Sequence, residues 1–375
     1  MLTFGEDNIS KDNFAFIIHP IDPKRDVKRK FPLLGRLPAS TINFLSRFFP
    51  PIYISHIVGI KSTLTQNETE GWFVACPLTP QRLLSVSPQV AYKKIIQTGQ
   101  LAQNLGARLL GLGAFTSVVG DGGITIAQHL DIPVTTGDSY TVAVAIEAVI
   151  RAAALMEVDL QHSVGAVVGA TGAIGRICAL LLAESMPDLL LIGRRNNALD
   201  EVKYEIERLG KTRVRTSTEI DHLQQADVII TVSSAVGSII QPEHLKAGAI
   251  VCDVARPRDV SRKVVERRND VLVIEGGMVK IPGAVNFNFD FGFPPQMAFA
   301  CMAETILLSL AQRYESYTLG KTLSLAKVQE ISQLAKAHGF QLGGFRSFEK
   351  PVYQHDIENI KLNLHKPKKG SRSLS

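Results

Sequence analysis

The sequence predicts an α/β protein that contains a doubly wound parallel sheet and a second α/β domain. Three observations support this fold class. Strand-like and helix-like segments alternate from 164 to 274, a glycine-rich turn lies at 165–175, and long helical patterns at 139–157 and 296–314 flank this region. Alternating strands and helices are typical of a parallel sheet with helices on both faces. We therefore expect the two flanking helices to cross between the sheet domain and the other domain.

The glycine-rich turn joins an apolar run to a helix-favouring run. Residues 165–175 read Gly-Ala-Val-Val-Gly-Ala-Thr-Gly-Ala-Ile-Gly. Glycines at such a turn let the backbone approach a pyrophosphate, which then lies on the free N–H groups of the helix N-terminus. The alternative is a glycine-rich turn without a ligand. We expect a Rossmann-like dinucleotide site formed by Gly169, Thr171, Gly172, Ala173, Ile174 and Gly175.

The end of the next strand predicts which dinucleotide binds. Arg194 and Arg195 follow Ile192, at about the twenty-residue spacing where an NAD site carries an acidic residue for the ribose 2′-hydroxyl. No acidic residue lies there, and arginine accommodates a 2′-phosphate, so we expect NADPH. The alternative is a pair of surface arginines. Ser233 and Ser234 follow the strand expected at 228–232, where small side chains would admit the nicotinamide ribose.

The chain outside this sheet is expected to form the second domain. A short helix at 41–49, a hairpin of strands 52–60 and 71–75, a helix at 89–106 and a buried strand starting at 109 are indicated. The expected organisation is a substrate domain with a basic, partly irregular N-terminus at 1–137, an NADP-binding domain at 138–295, helices returning to the first domain at 296–350, and a basic tail at 351–375.

Composition excludes several classes of protein. The chain has 375 residues, of which 45% are hydrophobic, and a net charge of +6. It shows no secretory signal pattern or apolar run of membrane-spanning length, so we expect a cytoplasmic protein. The four cysteines lack the spacing of a metal site or a disulfide framework. Basic clusters at 24–30 and 365–372 favour solvated flanks or an acidic partner, and no nucleic-acid motif accompanies them.

Cys301 is a candidate nucleophile, because it lies on the helix expected at 296–314 and a thiolate there could attack a thioester. The alternative is a buried cysteine that acts as a small hydrophobe. If the helix starts at Pro295, Cys301 lies in the second turn, beyond the main reach of the helix dipole. Alternating phenylalanines favour core packing, with the wall of an acyl site as the alternative: Phe287, Phe289, Phe291 and Phe293.

Several separated motifs resemble the long-chain acyl-(acyl carrier protein) reductases of cyanobacterial alkane synthesis. The resemblance covers roughly 105–340, whereas the first hundred residues and the segment between Gly277 and Phe299 do not match. The matching motifs are Gly113-Ala-Phe-Thr-Ser117, Thr135-Thr-Gly-Asp-Ser-Tyr-Thr141, the glycine-rich turn, Gly276-Gly277, Phe299-Ala-Cys-Met-Ala-Glu304 and His338-Gly-Phe340.

The resemblance implies NADPH-dependent reduction of a fatty acyl thioester to an aldehyde. It implies that Cys301 takes the acyl chain as an enzyme thioester. The motifs also make Phe115, Thr116, Ser117, Thr136, Gly137 and Asp138 candidate substrate-binding residues. The implied partners are acyl carrier protein or a coenzyme A thioester, with an aldehyde-consuming enzyme as a further partner, at most peripheral membrane contact and no nucleic acid.

Three other interpretations stay open. A shikimate-dehydrogenase-like oxidoreductase shares the layout, but the Asn-Val-Thr-x-Pro-x-Lys pattern that supplies its lysine is absent. The stretch from Val251 to Asp259 also resembles glutamyl-tRNA reductase, without the N-terminal cysteine motif of that family. The last alternative is a nucleotide-binding protein without catalytic activity.

Overall fold

The computed structural model describes residues 12–210, 212–235 and 237–364. The chain divides into two compact units, called unit 1 and unit 2 below. Unit 1 comprises Met1–Val144 and Gly277–Gly343, and unit 2 comprises Ala145–Gly276 and Gly344–Ser375. The basic cluster at 365–372 lies outside the described residues.

Short strands and helices alternate along most of the described chain. The strands are β1 (Asn13–Ile18), β2 (Ile52–Lys61), β3 (Glu68–Ala75), β4 (Leu110–Leu112), β5 (Val134–Thr135), β6 (Val164–Val168), β7 (Asp188–Ile192), β8 (Arg213–Ser217), β9 (Val228–Thr231), β10 (Ile250–Asp253), β11 (Leu272–Glu275), β12 (Met278–Lys280), β13 (Gly283–Asn286), β14 (Met297–Phe299), β15 (Gln341–Leu342), β16 (Phe345–Ser347) and β17 (Lys350–Val352). The α-helices are α1 (Pro23–Lys30), α2 (Ala39–Leu45), α3 (Pro80–Ser85), α4 (Pro88–Asn104), α5 (Phe115–Val118), α6 (Ile124–Gln128), α7 (Asp138–Leu155), α8 (Ala173–Ala183), α9 (Asn196–Leu209), α10 (Arg262–Arg267), α11 (Ala300–Leu310), α12 (Leu325–His338) and α13 (Gln354–Leu364). Turns of 3-10 helix lie at Leu34–Arg36, Leu160–His162, Ile220–Gln225 and Pro242–His244.

Unit 2 contains the doubly wound sheet that the sequence predicts. Its strand order is β11-β10-β9-β6-β7-β8, and every pair in it is parallel. The strands β6, β7, β9, β10 and β11 are largely apolar because both faces of the sheet are covered, whereas the edge strand β8 is mostly polar. The strand order reverses between β6 and β9, and ligands of such sheets bind at this switch point. The α/β fold class is confirmed.

Unit 1 is built on a mixed sheet with the order β13-β2-β3-β1-β4-β5. The strands β3, β1, β4 and β5 are parallel, and β2 and β13 are added antiparallel. Phenylalanines from β1 and β3 fill one side of the sheet and pack with α11. Because β3, β1, β4 and β5 run parallel, their carboxyl ends lie at the same edge of the sheet.

The unit boundaries differ from those expected at 138 and 295. The division falls inside α7 and again at Gly276, so residues 277–295 belong to unit 1 rather than to the NADP-binding domain. The reason is strand pairing, since β13 pairs with β2 and β12 pairs with β14 and β15. The expected basic tail at 351–375 was also wrong in part, because 350–364 form β17 and α13.

The helix expected at 296–314 is shorter and begins later. Residues 297–299 are extended as β14, which pairs with β12, and the helix α11 starts only at Ala300. Upstream, the segment expected as a strand from 109 forms the three-residue β4, and α5 follows at Phe115. Within the described residues, no helix is both long enough and apolar enough to span a bilayer.

Candidate active site

In unit 2 the turn between β6 and α8 has the shape that a pyrophosphate requires. A β-carbon at Gly175 would lie 2.2 Å from the Gly169 carbonyl oxygen, so the helix packs against the turn only because this residue is glycine. A β-carbon at Gly172 would meet only that same oxygen, at 3.3 Å, and is otherwise in open space. Gly172 is the N-cap of α8 and forms no side-chain cap, so Ala173 and Ile174 begin a helix whose N–H groups no capping side chain covers. These features fit a dinucleotide.

The ends of the neighbouring strands β7 and β9 lie against this turn. Gly169 has a φ of +81°, and a β-carbon there would lie 3.0 Å from Ser233 Cα, so the turns after β6 and β9 touch. Thr171 approaches the end of β7, because its Cγ2 would lie 3.4 Å from a β-carbon at Gly193. Arg194 and Arg195 are exposed at this strand end. Their role in binding a 2′-phosphate, like that of exposed Ser234 at the ribose, stays a prediction.

Sequence reasoning missed Asp259, which holds the turn after β9. Its Oδ2 accepts hydrogen bonds from Ser233 N at 2.8 Å and Thr231 Oγ1 at 2.5 Å, and its Oδ1 accepts one from Ser233 Oγ at 2.5 Å. The carboxylate is fully buried, and three donors offset the cost of burying it. Asp259 therefore orients the backbone of Ser233 rather than a ligand.

In unit 1 most of the predicted substrate-binding residues lie at the carboxyl ends of adjacent parallel strands. β4 ends before Phe115, and β5 ends before Thr136, Gly137 and Asp138. His19, which sequence reasoning did not select, follows β1, the other neighbour of β4. Ligand sites of parallel sheets form at this edge because loops rather than strands cover it.

Cys301 lies against this edge. A β-carbon at Gly137 would be 2.3 Å from Cys301 Cα and 2.4 Å from its Cβ, so the backbone of Gly137 packs directly on the cysteine. Because α11 begins at Ala300, Cys301 is in its first turn and within reach of the helix dipole, contrary to the expected second turn. Cys301 as a residue is partly exposed although its thiol is desolvated, whereas the other cysteines are buried: Cys76, Cys178 and Cys252.

The thiol of Cys301 is protonated in this environment. Burial and, after it, the charge of Asp138 raise the pKa of Cys301, which the backbone N–H of Met302 lowers in part, to about 12. Burial, followed by the charge of Glu304, raises the pKa of Asp138 to about 7, which the nearby Thr136 side chain offsets in part. A carboxyl group that exchanges its proton near neutral pH therefore lies beside the thiol.

Glu304, also missed by sequence reasoning, ties α11 to the loop that carries Gly137. It is fully buried, and its Oε2 accepts a hydrogen bond from Tyr140 N at 2.9 Å. Its Oε1 accepts hydrogen bonds from Thr135 Oγ1 at 2.5 Å and Thr318 Oγ1 at 2.9 Å. Burial raises the pKa of Glu304, and these donors lower it. Glu304 lies one turn after Cys301 and so fixes the cysteine against Gly137.

Two side chains of the loop after β4 form hydrogen bonds to the backbone of the same loop. Thr116 Oγ1 donates to the Gly113 carbonyl at 2.8 Å, and Ser117 Oγ donates to the Ala114 carbonyl at 2.7 Å. Ala114 has a φ of +48°, a conformation that favours glycine. Both hydroxyls are used within the loop, so Thr116 and Ser117 shape the site. Thr136 Oγ1, in contrast, is buried near the Asp138 carboxyl without a hydrogen-bond partner of normal geometry among the described residues.

Unit 1 contains a cavity of about 170 Å³ whose lining includes residues close to Cys301 in the sequence. Phe299 and Met302, the residues on either side of Ala300 and Cys301, line it, together with Phe289 and Phe291. Its other walls are apolar residues at the ends of β1 and β3, in β2 and around α1 and α2: Ile18, Pro20, Ile21, Val27, Phe31, Leu34, Leu37, Ile42, Leu45, Phe49, Ile52, Ile54, Ala75 and Pro77. The polar residues on its lining are His19, Asp26, Arg29, Lys30 and Ser46.

The phenylalanine-rich segment serves as core and as cavity wall. Phe287 is buried and stacks on Phe73 with ring centroids 5.7 Å apart. Phe291 packs against Phe287 at 5.0 Å and also lines the cavity, and Phe293 packs against Phe299 at 4.3 Å. Core packing is therefore confirmed for Phe287, and the alternative that the segment forms the wall of an acyl site stays a prediction. Among the described residues there is no group of side chains that could hold a metal ion.

Comparison with known proteins gives a family match to most of unit 2 and relatives that match longer parts of the chain. Residues 152–275 match the family described as shikimate / quinate 5-dehydrogenase. The aminotransferase PigE of a Serratia species is 30% identical over 362 residues, which is 94% of this chain and 42% of PigE. The chain thus spans less than half the length of this relative.

Two further relatives are reductases. A long-chain acyl-[acyl-carrier-protein] reductase of Synechococcus elongatus is 28% identical over 307 residues, covering 78% of this chain and 87% of that protein. Glutamyl-tRNA reductase of Methanosarcina mazei is 36% identical over 112 residues, covering 28% of this chain and 24% of that protein. The matches relate the chain to NAD(P)-dependent oxidoreductases and indicate that its cofactor is NADP(H).

Proposed function

We propose that the chain reduces a fatty acyl thioester to an aldehyde, with NADPH as reductant and Cys301 as the acyl acceptor. The observation that carries the proposal is the apolar cavity of unit 1, because Phe299 and Met302, which lie within two residues of Cys301 in the sequence, line it. An alkyl chain needs a largely apolar pocket with few polar groups. The resemblance to an acyl-carrier-protein reductase over 78% of the chain supports the same substrate class.

The charged side chains on the cavity lining already have hydrogen-bond partners within the protein. Arg29 Nη1 donates to Asp26 Oδ1 at 3.0 Å, and Lys30 Nζ donates to the Ile54 carbonyl at 2.6 Å. The lining therefore offers a long chain mainly hydrocarbon surface, which favours an acyl group over a small hydroxylated acid.

The reaction has two stages at Cys301. In the first, Sγ forms a bond to the carbonyl carbon while the bond to the carrier thiol breaks, and the thiol proton passes through Asp138 to the leaving sulfur. Asp138 suits this transfer because its pKa of about 7 lets it both accept and return a proton. Holding the acyl group on the enzyme fixes the carbonyl for the second stage.

In the second stage NADPH, which the glycine-rich turn at 165–175 would hold, would supply a hydride to the carbonyl carbon. The bond from Cys301 Sγ to that carbon then breaks, the aldehyde leaves, and the sulfur takes up a proton. One acyl thioester, one NADPH and one proton give an aldehyde, a free thiol and NADP⁺. The backbone N–H of Met302, which lowers the pKa of the thiol, would stabilise the departing thiolate.

The carrier is proposed to approach α1. This helix contributes part of the cavity wall and carries the exposed basic residues Lys24, Arg25, Lys28 and Lys30. A cationic surface of this kind attracts an acidic carrier protein or the phosphates of coenzyme A. An aldehyde is also an amino acceptor for an aminotransferase, the activity that names the longer Serratia relative.

A second candidate is reduction of a small polar substrate, which the match of 152–275 to the shikimate / quinate family favours. That match ends before Cys301 and covers only unit 2. The same assay separates the two candidates, because such an enzyme would oxidise NADPH with a polar keto acid and would form no acyl adduct.

The decisive experiment is incubation with hexadecanoyl-coenzyme A in the absence of NADPH. The intact mass should rise by one acyl group, and peptide mapping should place it on Cys301. Cys301→Ala should abolish both the adduct and aldehyde formation, whereas Cys76→Ala, at a buried cysteine of the same unit, should keep both. Aldehyde formation by Cys301→Ala at the wild-type rate would refute the proposal.

A further inference from the structure

His19 stands apart among the polar residues on the cavity lining. Asp26, Arg29 and Lys30 are hydrogen-bonded as described, and Ser46 Oγ donates to the Asn43 carbonyl at 2.9 Å. His19 is only 8% exposed, and its Nδ1 has no hydrogen-bond partner of normal geometry among the described residues. An unsatisfied buried polar atom on a cavity wall requires an explanation, because leaving it unpaired costs free energy.

The hydrogen bond at the other ring nitrogen, Nε2, determines which tautomer of His19 is present. The backbone N–H of Phe115 donates to His19 Nε2 at 3.2 Å, and the Phe115 ring packs edge-on against the imidazole with centroids 5.7 Å apart. A nitrogen that accepts a hydrogen bond carries no proton, so the proton of the neutral ring is on Nδ1. Nδ1–H is therefore a donor that has no acceptor of normal hydrogen-bond geometry among the described residues, although the backbone carbonyl of Pro20 lies nearby.

The ring stays neutral over the physiological range. Burial lowers the pKa of His19 to about 4, and the nearby backbone of Pro20 offsets only part of that effect. His19 is thus suited to donating a hydrogen bond at neutral pH without acting as a general acid or base.

The fold brings this donor to the same sheet edge as the nucleophile. His19 follows β1, β1 is the neighbour of β4, and β5 beyond it carries Gly137, which contacts Cys301. The helix α11 packs over both β1 and β4. His19 and Met302, the residue after Cys301, line one cavity.

We propose that His19 is a catalytic residue whose Nδ1–H donates a hydrogen bond to the carbonyl oxygen of the acyl thioester. This inference rests on the proposed function. The carbonyl oxygen becomes negative when Cys301 attacks, and again when hydride arrives, and a preorganised donor stabilises that charge. The hydrogen bond to Phe115 holds the ring in the required tautomer, so the loop after β4 positions the donor.

Two substitutions separate this role from a merely structural one. In His19→Asn the side-chain amide nitrogen takes the place of Nδ1, so the donor is kept and the acceptor for Phe115 is lost. In His19→Gln the amide oxygen takes the place of Nε2, so the acceptor is kept and the donor is lost. His129→Gln, at an exposed histidine of the same unit, is the matched control.

The measurement is the rate of Cys301 acylation by hexadecanoyl-coenzyme A without NADPH, followed by intact mass, with thermal unfolding recorded in parallel. We expect His19→Gln to lose about 100-fold or more in rate with near wild-type stability. His19→Asn should keep the rate within about tenfold while unfolding at a lower temperature, because a buried N–H loses its partner.

The outcomes distinguish this inference from the proposed function. A wild-type protein that forms no adduct refutes the proposed function and the role of His19 with it. A wild-type protein that is acylated, together with a His19→Gln variant acylated equally fast, refutes only the role of His19. Equal loss of rate in both variants would also overturn it and leave His19 as a support for the loop.

Discussion

Gly137 and Cys301 occupy adjoining positions with no space between their backbones. Any side chain at Gly137 would overlap the cysteine backbone, and its φ of +77° also favours glycine. The sequence motif containing Gly137 resembles a known family, but only the structure explains why a glycine is required. The contact aligns the nucleophile, and such alignment is sensitive to displacements of about 1 Å.

Gly137→Ala should lower the aldehyde-forming rate by about 100-fold or more, because the added methyl group displaces Cys301. Gly106→Ala is the matched control: its φ is +88°, but no atom lies within 4 Å of the added carbon. The control carries the same backbone strain, about 1 kcal/mol, without the clash. Equal rates for the two variants in a steady-state aldehyde assay would show that the contact is unimportant.

The pKa of Asp138 predicts how stability changes with pH. Its folded pKa of about 7 lies above its usual value of 3.8, so the native state holds the proton more tightly than the unfolded state. The resulting stabilisation is present below pH 3.8 and is lost as the pH rises towards 7. Asp138→Asn should therefore lose less unfolding free energy than the wild type between pH 5 and pH 8 in urea titrations. Parallel losses in the two proteins would contradict the raised pKa.

Individual residues of the site differ in how far the sequence predicts them. The glycines of 165–175 could be predicted, because their spacing indicates a tight turn in which side chains would clash. His19, Asp259 and Glu304 gave no such signal, since each acts through partners that are distant in sequence. A polar residue immediately after a buried strand, as at His19, was the one signal that could have been used.

At the scale of elements, α11 shows why a helix boundary matters. Propensity places the helix start near 296, but pairing with β12 keeps 297–299 extended. Local sequence does not reveal this pairing, because the two strands are separated by β13 and the phenylalanine-rich segment. The shift moves Cys301 into the first turn, where the free N–H groups of a helix favour a thiolate.

Glu304→Ala should destabilise the protein by about 3 kcal/mol, because three buried donors lose their acceptor. Aldehyde formation should fall as well, since α11 is no longer tied to the loop that carries Gly137. Glu68→Ala on β3 is the control, where an exposed ion pair with Lys61 contributes less than about 1 kcal/mol. Similar losses for both variants in urea denaturation would mean that Glu304 is not a specific anchor.

At the scale of the whole molecule, the alternation of strands and helices predicted the sheet of unit 2 well. The sheet of unit 1 was predicted less well, because it takes β13 from a segment more than two hundred residues after β2. No local pattern indicates which sheet a short strand joins. Residues 277–295 were therefore assigned to the wrong unit.

NADPH should stabilise the folded protein through mass action, by about 2.7 kcal/mol at a hundredfold excess over its Kd. Replacement of both Arg194 and Arg195 by alanine should remove most of this effect for NADPH and little of it for NADH, because only NADPH carries the 2′-phosphate. The measurement is the shift in unfolding temperature with each cofactor. Replacement of Lys203 and Arg208, basic residues of α9, by alanine is the control. An equal loss with both cofactors would rule out phosphate recognition by this pair.

Ala114 carries a methyl group at a backbone conformation suited to glycine, directly before the N–H that contacts His19. A glycine there would relieve the strain, and the fold would gain up to about 1 kcal/mol. The same change would give the loop more freedom and so loosen the histidine. The loop at Ala114 is therefore strained in the folded protein. Selection for thermal stability alone would be expected to replace Ala114 with glycine, and the rate of turnover would fall.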